Sequence, residues 1–183
     1  TFGTITNISG IVGGSAVACV VGSSSCGFNI SNSGDLNPTA TQSIGFWYNG
    51  TSNSSYIFRK GAAVQYYAFI QANGTLEYSW SNDGSGQSNS NNVVSDGKSH
   101  CIVMVNNGTH QYAVIDNSTG AGGVNKTVSG AITIQTDPFT AFSDRGGSPS
   151  SGRIDELFFS NSSMSTADIQ SFCSKVVMVT PSP

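Results

Sequence analysis

Charge is scarce in this sequence. Only 9% of its 183 residues are Asp, Glu, Lys or Arg, against about 25% in an average globular domain. Ser, Thr, Asn and Gly take their place, so hydroxyls and amides hydrate the surface. Such surfaces are common in secreted and surface-displayed proteins. The net charge is −3 and the seven basic residues are scattered, apart from Arg59-Lys60. With no basic patch to hold a phosphate backbone, no nucleic acid partner is expected. No apolar run approaches the ~20 residues that cross a bilayer, so no membrane insertion is expected. The start lacks a basic n-region, so no signal peptide is expected. In an exported protein it would have been removed or would lie upstream.

Cysteine is sparse too. The four are Cys19, Cys26, Cys101 and Cys173, with no C-x-x-C pair, which speaks against structural zinc. An even count in an exported chain points to two disulfides. Three pairings are possible. Cys19–Cys26, a short local loop, with Cys101–Cys173, tying a strand to the C-terminal segment, is the favoured one. Free buried thiols are the alternative.

Acidic pairs are missing as well. A retaining glycosidase needs two carboxyls about 5 Å apart. The only glutamates are Glu77 and Glu156. Asp155 and Glu156 are neighbours in a predicted strand and point to opposite faces. No Gly-x-Ser-x-Gly elbow accompanies His100 or His110, the only histidines. His100 reads as part of a strand and His110 as a turn residue. No enzymatic activity is expected.

What the chain does contain is alternation. Apolar residues make up 37%, in short β-prone runs separated by Gly, Asn and Ser clusters. Strands are predicted at Ile5–Ile8, Ser15–Val21, Gln42–Tyr48, Tyr56–Arg59, Val64–Gln71, Thr75–Trp80, His100–Asn106, Gln111–Ile115, Gly130–Thr136, Phe139–Phe142 and Gly152–Ser160. Asn73-Gly74 and Asn107-Gly108 read as hairpin turns in which both residues accept positive φ. Leu76, Tyr78 and Trp80 share one face of their strand, with Glu77 and Ser79 on the other. Cys101–Val105 is apolar on both faces, hence central. Ser165–Cys173 reads as the one helix, capped by Ser165 or Thr166, with Asp168 in the first turn and Ile169, Phe172 and Cys173 on one face. The fold class is therefore all-β, a two-sheet antiparallel β-sandwich with one short C-terminal helix. Residues 1–178 form one domain, and residues 179–183 a linker or tail.

Nine Asn-X-Ser/Thr sequons occur, at Asn7, Asn29, Asn49, Asn53, Asn73, Asn107, Asn117, Asn125 and Asn161. In a secretory product they would mark surface loops of a glycoprotein. A chain this rich in Asn, Ser and Thr also makes many by chance.

Several motifs resemble one family in order along the chain. Ser95-Asp-Gly-Lys-Ser-His-Cys-Ile-Val-Met-Val105 is similar to the "DGKWHHVAVT" strand of laminin-G-like jelly rolls. Ser99 stands where that family has Trp. Gly152-Arg-Ile-Asp-Glu-Leu-Phe-Phe-Ser160, followed by Met164-Ser-Thr-Ala-Asp-Ile-Gln170, resembles its closing strand and helix. Ser43-Ile-Gly-Phe-Trp47, Ile57-Phe-Arg-Lys-Gly61 and Gly10–Gly22 resemble earlier strands. The resemblance is to the concanavalin A-like lectin/glucanase superfamily. It implies two stacked antiparallel sheets of six or seven strands each, one of them concave. It also implies a glycan-binding or adhesive module, with glucanases a minority.

A structural calcium ion is a further implication, held by Asp155 in the closing strand with help from Asp35. The alternative is that Asp155 bonds backbone amides. A glycan site needs aromatic faces and planar polar groups. Asp144-Arg145 is the leading loop candidate and Trp80, Asn82 and Asp83 the second, with Tyr66 and Tyr67 as a platform. The expected function is extracellular recognition or adhesion. The expected place is secreted, on a cell surface or on a virion surface, within a larger multidomain protein or fibre. The expected partners are glycans or glycoproteins of a cell surface. The alternative is a structural or assembly module of a fibre, spike or virus particle that binds protein neighbours.

Overall fold

The computed structural model describes residues 6–9, 15–19, 27–82, 87–118, 125–142 and 151–174, with side chains from residue 27 onward. The strands are β1 (Thr6–Ser9), β2 (Ser15–Cys19), β3 (Phe28–Ile30), β4 (Gln42–Gly50), β5 (Ser55–Lys60), β6 (Tyr66–Ile70) and β7 (Thr75–Trp80). They continue with β8 (Ser88–Val93), β9 (Ser99–Asn106), β10 (His110–Ile115), β11 (Lys126–Thr127), β12 (Phe139–Ala141) and β13 (Gly152–Ser160). One helix follows, α1 (Thr166–Cys173). A seven-stranded sheet runs β1-β2-β13-β4-β9-β10-β11 and a six-stranded sheet β3-β12-β5-β6-β7-β8. Every pairing is antiparallel.

Alternation explains where the core lies. Ile44, Phe46 and Tyr48 of β4, Ile102 and Met104 of β9, and Leu76, Tyr78 and Trp80 of β7 meet between the sheets. Edge-on ring contacts knit this layer, Phe46–Phe58 at 5.2 Å and Phe139–Phe159 at 5.1 Å. The opposite parity of β9, Cys101, Val103 and Val105, packs under α1 with Trp47, Val114, Ile169 and Phe172. The apolar run of β9 is therefore central, between β4 and β10. Gly45 is small because the ring of Phe158 lies over it; a Cβ there would run into that ring. Ser165 caps α1, its side chain accepting from the Asp168 amide at 3.2 Å. The Cys101–Cys173 disulfide pins the end of the helix to β9. For the pair Cys19–Cys26, Cys26 lies outside the described residues.

Three local expectations need correction. Residues 131–136 form no strand. Their backbone amides bond singly to separate parts of the sandwich: Ile132 N donates to Thr39 O at 3.2 Å, Thr133 N to Ser81 Oγ at 2.6 Å and Gln135 N to Gln65 Oε1 at 2.9 Å. At the hairpins, Gly74 and Gly108 have positive φ, but Asn73 and Asn107 do not. Gly74 follows a turn closed by its own amide on Gln71 O, and Gly108 opens a two-residue loop closed by Asn107 N on His110 O. Finally, Gly61–Val64 is a turn, so β6 begins two residues later than the pattern suggests.

Lys60 is fully buried, at 0% exposure. Its Nζ donates to Asn32 Oδ1, Gln135 O and Asp137 O, each at 2.7 Å. One ammonium thus ties β5 to the segments before η1 (Gly34–Leu36) and before β12. An ammonium has three donors and no acceptor, so this cage satisfies it completely.

His100 is clamped between two carboxylates. Nδ1 lies 2.7 Å from Asp116 Oδ2 and Nε2 lies 2.9 Å from Asp96 Oδ1. The bond to Asp116 raises its pKa, burial opposes this, and Asp96 adds to the rise. Asp96 is held far below the ordinary carboxylate range, first by His100 and then by the Lys98 amide. A folded histidine pKa above the unfolded 6.5 stabilises below that value, and the stabilisation is lost as pH rises through the folded pKa. The depressed aspartate stabilises above 3.8 and loses this as pH falls through its folded value. His100→Gln is thus expected to cost about 1–3 kcal/mol at about pH 5 and less at about pH 9. Calorimetry of both proteins at the two pH values checks it; an equal gap at both would refute the imidazolium.

Candidate functional site

The two sheets differ in what covers them. Helix α1 and its apolar cluster lie on the outside of the seven-stranded sheet. On the six-stranded sheet, Tyr66, Ala68 and Ile70 of β6 point into the core, so Tyr67, Phe69 and Gln71 point outward. The pairing sets Tyr56, Phe69, Glu77 and Asn89 in one row across β5, β6, β7 and β8. Arg59, Tyr67 and Ser79 form the next row.

These side chains are bonded to one another. Tyr67 Oη donates to Glu77 Oε1 at 2.7 Å, and Gln71 Nε2 donates to Glu77 Oε2 at 3.0 Å and to Asn89 Oδ1 at 2.9 Å. Tyr56 meets Phe69 edge-on at 4.9 Å and Tyr67 at 5.8 Å. The Arg59 guanidinium stands 5.2 Å from the Tyr56 ring centre and donates to the carbonyls of Gly61 and Ala62. Two open depressions of about 360 Å³ flank Glu77. One is lined by Phe69, Gln71, Ala72, Asn73 and Glu77. The other is lined by Tyr56, Val64, Tyr67, Glu77, Ser79 and Trp80 among others. Val64, at the rim, holds a φ of 55°, which is strained for a β-branched residue.

Chemically, the face offers aromatic rings, amides and a single carboxylate. Glu77 is the only acidic residue on β5 to β8, so these strands supply no second carboxyl for a glycosidase pair.

Of the residues expected from the sequence, Tyr67 is on this face and Trp80 borders one depression from the core side. Trp80 is 1% exposed; its Nε1 donates to Gln42 Oε1 at 2.8 Å between the sheets. Tyr66 is fully buried and donates to Leu36 O at 3.3 Å. Neither ring can stack on a ligand, because both take the inward parity of their strands. Asn82 is buried, accepting from Asn106 Nδ2 at 2.9 Å and donating to Gly130 O at 3.2 Å. Asp83, Asp144 and Arg145 lie outside the described residues. Asp155 is buried, and its Oδ1 accepts from the Glu156 amide at 2.9 Å. Asp35 is exposed in η1. Among the described residues no group of three or more His, Cys, Asp or Glu is placed to hold a metal ion.

No protein-family model and no curated protein matches the sequence. Solved structures do. The binding domain of Paraclostridial Mosquitocidal Protein 1 superposes with a TM-score of 0.72 at 9% identity, over 92% of this chain and 45% of that one. Domain 4 of AbnA, an extracellular arabinanase from Geobacillus stearothermophilus solved with arabinotriose, gives 0.66 at 14% identity, over 94% and 82%. The LG1-3 region of the laminin alpha2 chain gives 0.57 at 15% identity, over 78% and 31%. The chain thus spans less than half of the mosquitocidal binding domain and of the laminin region. The fold is of the concanavalin A-like, laminin-G-like type.

Proposed function

We propose that this jelly roll is a non-catalytic recognition module acting outside the cell, binding carbohydrate on the outer face of its six-stranded sheet. One observation carries the reading: Tyr56, Phe69, Glu77 and Asn89 form a row across four strands on the sheet face that helix α1 does not cover. Rings cover the C–H faces of a sugar, while amides and a carboxylate meet its hydroxyls. The depressions beside the row fall at the small end of ligand sites, about 300–1,000 Å³. The Cys101–Cys173 disulfide fits an oxidising compartment. No described helix is long and apolar enough to cross a membrane. The arabinotriose complex of the AbnA domain supports the ligand class. Glycans or glycoproteins of a cell surface are the partners this reading implies.

The test is a glycan array followed by titration. Phe69→Ala and Glu77→Gln are each expected to weaken binding about tenfold, the worth of about 1.4 kcal/mol. Arg145→Ala, in the loop that sequence reasoning favours, is expected to leave it unchanged. Loss through Arg145→Ala alone moves the site to that loop; silence across arrays and polysaccharides ends the reading.

A second reading, an assembly module within a fibre, spike or virus particle, is favoured by the edge of β8. Ser88–Val93 contains no charge and no proline, the usual guards against edge pairing. Self-association that Asn91→Lys abolishes would support it.

A further inference from the structure

We infer that Asn73 and Asn107 are acceptor sites for N-linked oligosaccharide, and that Asn49 and Asn53 are closed to it. All four head sequons, and sequence alone does not rank them. The side-chain bonds do. Thr75 Oγ1 donates to Asn73 Oδ1 at 2.8 Å and Thr109 Oγ1 to Asn107 Oδ1 at 2.9 Å. The backbone amides of Thr75, Thr109 and His110 donate to the same two oxygens. In each case the sequon hydroxyl engages the carbonyl end of the acceptor amide. Among the described residues, neither Nδ2 has a bonded partner, and both asparagines are exposed at hairpin tips.

Asn49 and Asn53 are built the other way. Asn49 is half-buried in β4, and its Nδ2 donates to Gly97 O at 2.9 Å and toward Ser99 Oγ at 3.4 Å. Asn53 Nδ2 donates to Ala72 O at 3.2 Å while its Oδ1 accepts from Ser95 at 2.5 Å. A sugar on either nitrogen would displace bonds that join separate loops. At Asn73 and Asn107 it would displace none. The turn around each is local, three residues at Asn73 and four at Asn107, so a nascent chain can form it before the sheets close.

The reaction is a glycosyl transfer. The asparagine Nδ2 bonds to C1 of a polyprenyl-diphosphate-linked oligosaccharide. The C1–O bond to the carrier breaks, the diphosphate leaves, and one amide proton passes to a base of the transferase. No redox partner is needed. The two acceptors sit at opposite ends of the sandwich: Gly74 adjoins Asn53 and Ser95, whereas Gly108 adjoins Ala40 and Thr41. Asn73 also lines one of the two depressions beside Glu77.

The test is site occupancy after secretion of the full chain from a eukaryotic cell, read by glycopeptide mass spectrometry with no sugar ligand involved. Glycan is expected at Asn73 and Asn107 and absent at Asn49 and Asn53. Asn73→Gln and Asn107→Gln are each expected to remove one glycan's mass. Thr75→Ala and Thr109→Ala, which keep the asparagines, should do the same. An unmodified Asn73 or Asn107, or a glycan at Asn49 or Asn53, overturns the assignment.

Discussion

Replacing Cys101 and Cys173 together by alanine is expected to lower the free energy of unfolding by about 4 kcal/mol. The bridge spans 72 residues of sequence. Opening it frees the unfolded chain to explore conformations a loop of that length forbids, which sets the estimate. The loss is large beside the ~5–15 kcal/mol stability of a typical domain. It also has a local signature. Cys173 ends α1, and Cys101 shares a cluster with Trp47, Phe172 and Ile169. Without the bridge the helix end rests on those apolar contacts among the described residues, so the environment of Trp47 should change before that of Trp80. Denaturant unfolding of oxidised, reduced and Cys101→Ala/Cys173→Ala proteins, followed by tryptophan fluorescence, checks both parts. A loss under about 1 kcal/mol, or identical midpoints with and without reductant, would show that the bridge matters little.

Lys60→Met is expected to cost about 3–5 kcal/mol, since each buried oxygen left without a donor costs about 1–3 kcal/mol. Methionine fills similar space but donates nothing, leaving Asn32 Oδ1, Gln135 O and Asp137 O without their shared donor. Burial pulls the Lys60 pKa down and Asp137 pushes it back up. Lys60→Arg should also destabilise, because the cage fits a point-like ammonium and not a planar fork. Matched denaturation curves measure both; a methionine variant as stable as the native chain would mean that water or rearranged loops satisfy the three oxygens.

Much of the fold is legible in the chain itself. Thr75–Trp80 and Gly152–Ser160 fall at their predicted limits, because apolar alternation bounded by turn residues marks both ends. β8 could not be read: Ser88 and Ser90 turn inward and Asn89 outward, but serine burial leaves no apolar rhythm. Residues 130–136 misled for the opposite reason. Ile132 and Ile134 alternate like a strand, yet Ile134 is 47% exposed and the backbone is held by Ser81 and Gln65 side chains.

The candidate face was hidden by parity. Tyr66 and Tyr67 read together as a platform, but neighbours in a strand face opposite ways, and only Tyr67 points out. Trp80 shares its side with Leu76 and Tyr78, so the same rule puts it in the core. The signal that could have found the face is the outward series Tyr67, Phe69, Gln71. It keeps aromatic rings where a solvated strand face would carry small polar groups, opposite the lone carboxylate of Glu77.

The near-neutral make-up of that face has a consequence for how it meets its partner. One guanidinium and one carboxylate, both already engaged, project almost no long-range field. Diffusing ligands are not steered toward it, so encounter should proceed at the slower rate of uncharged surfaces. In exchange there is little for dissolved ions to screen. Affinity should then hold from fresh water to brine, and anionic polymers should not compete through bulk attraction.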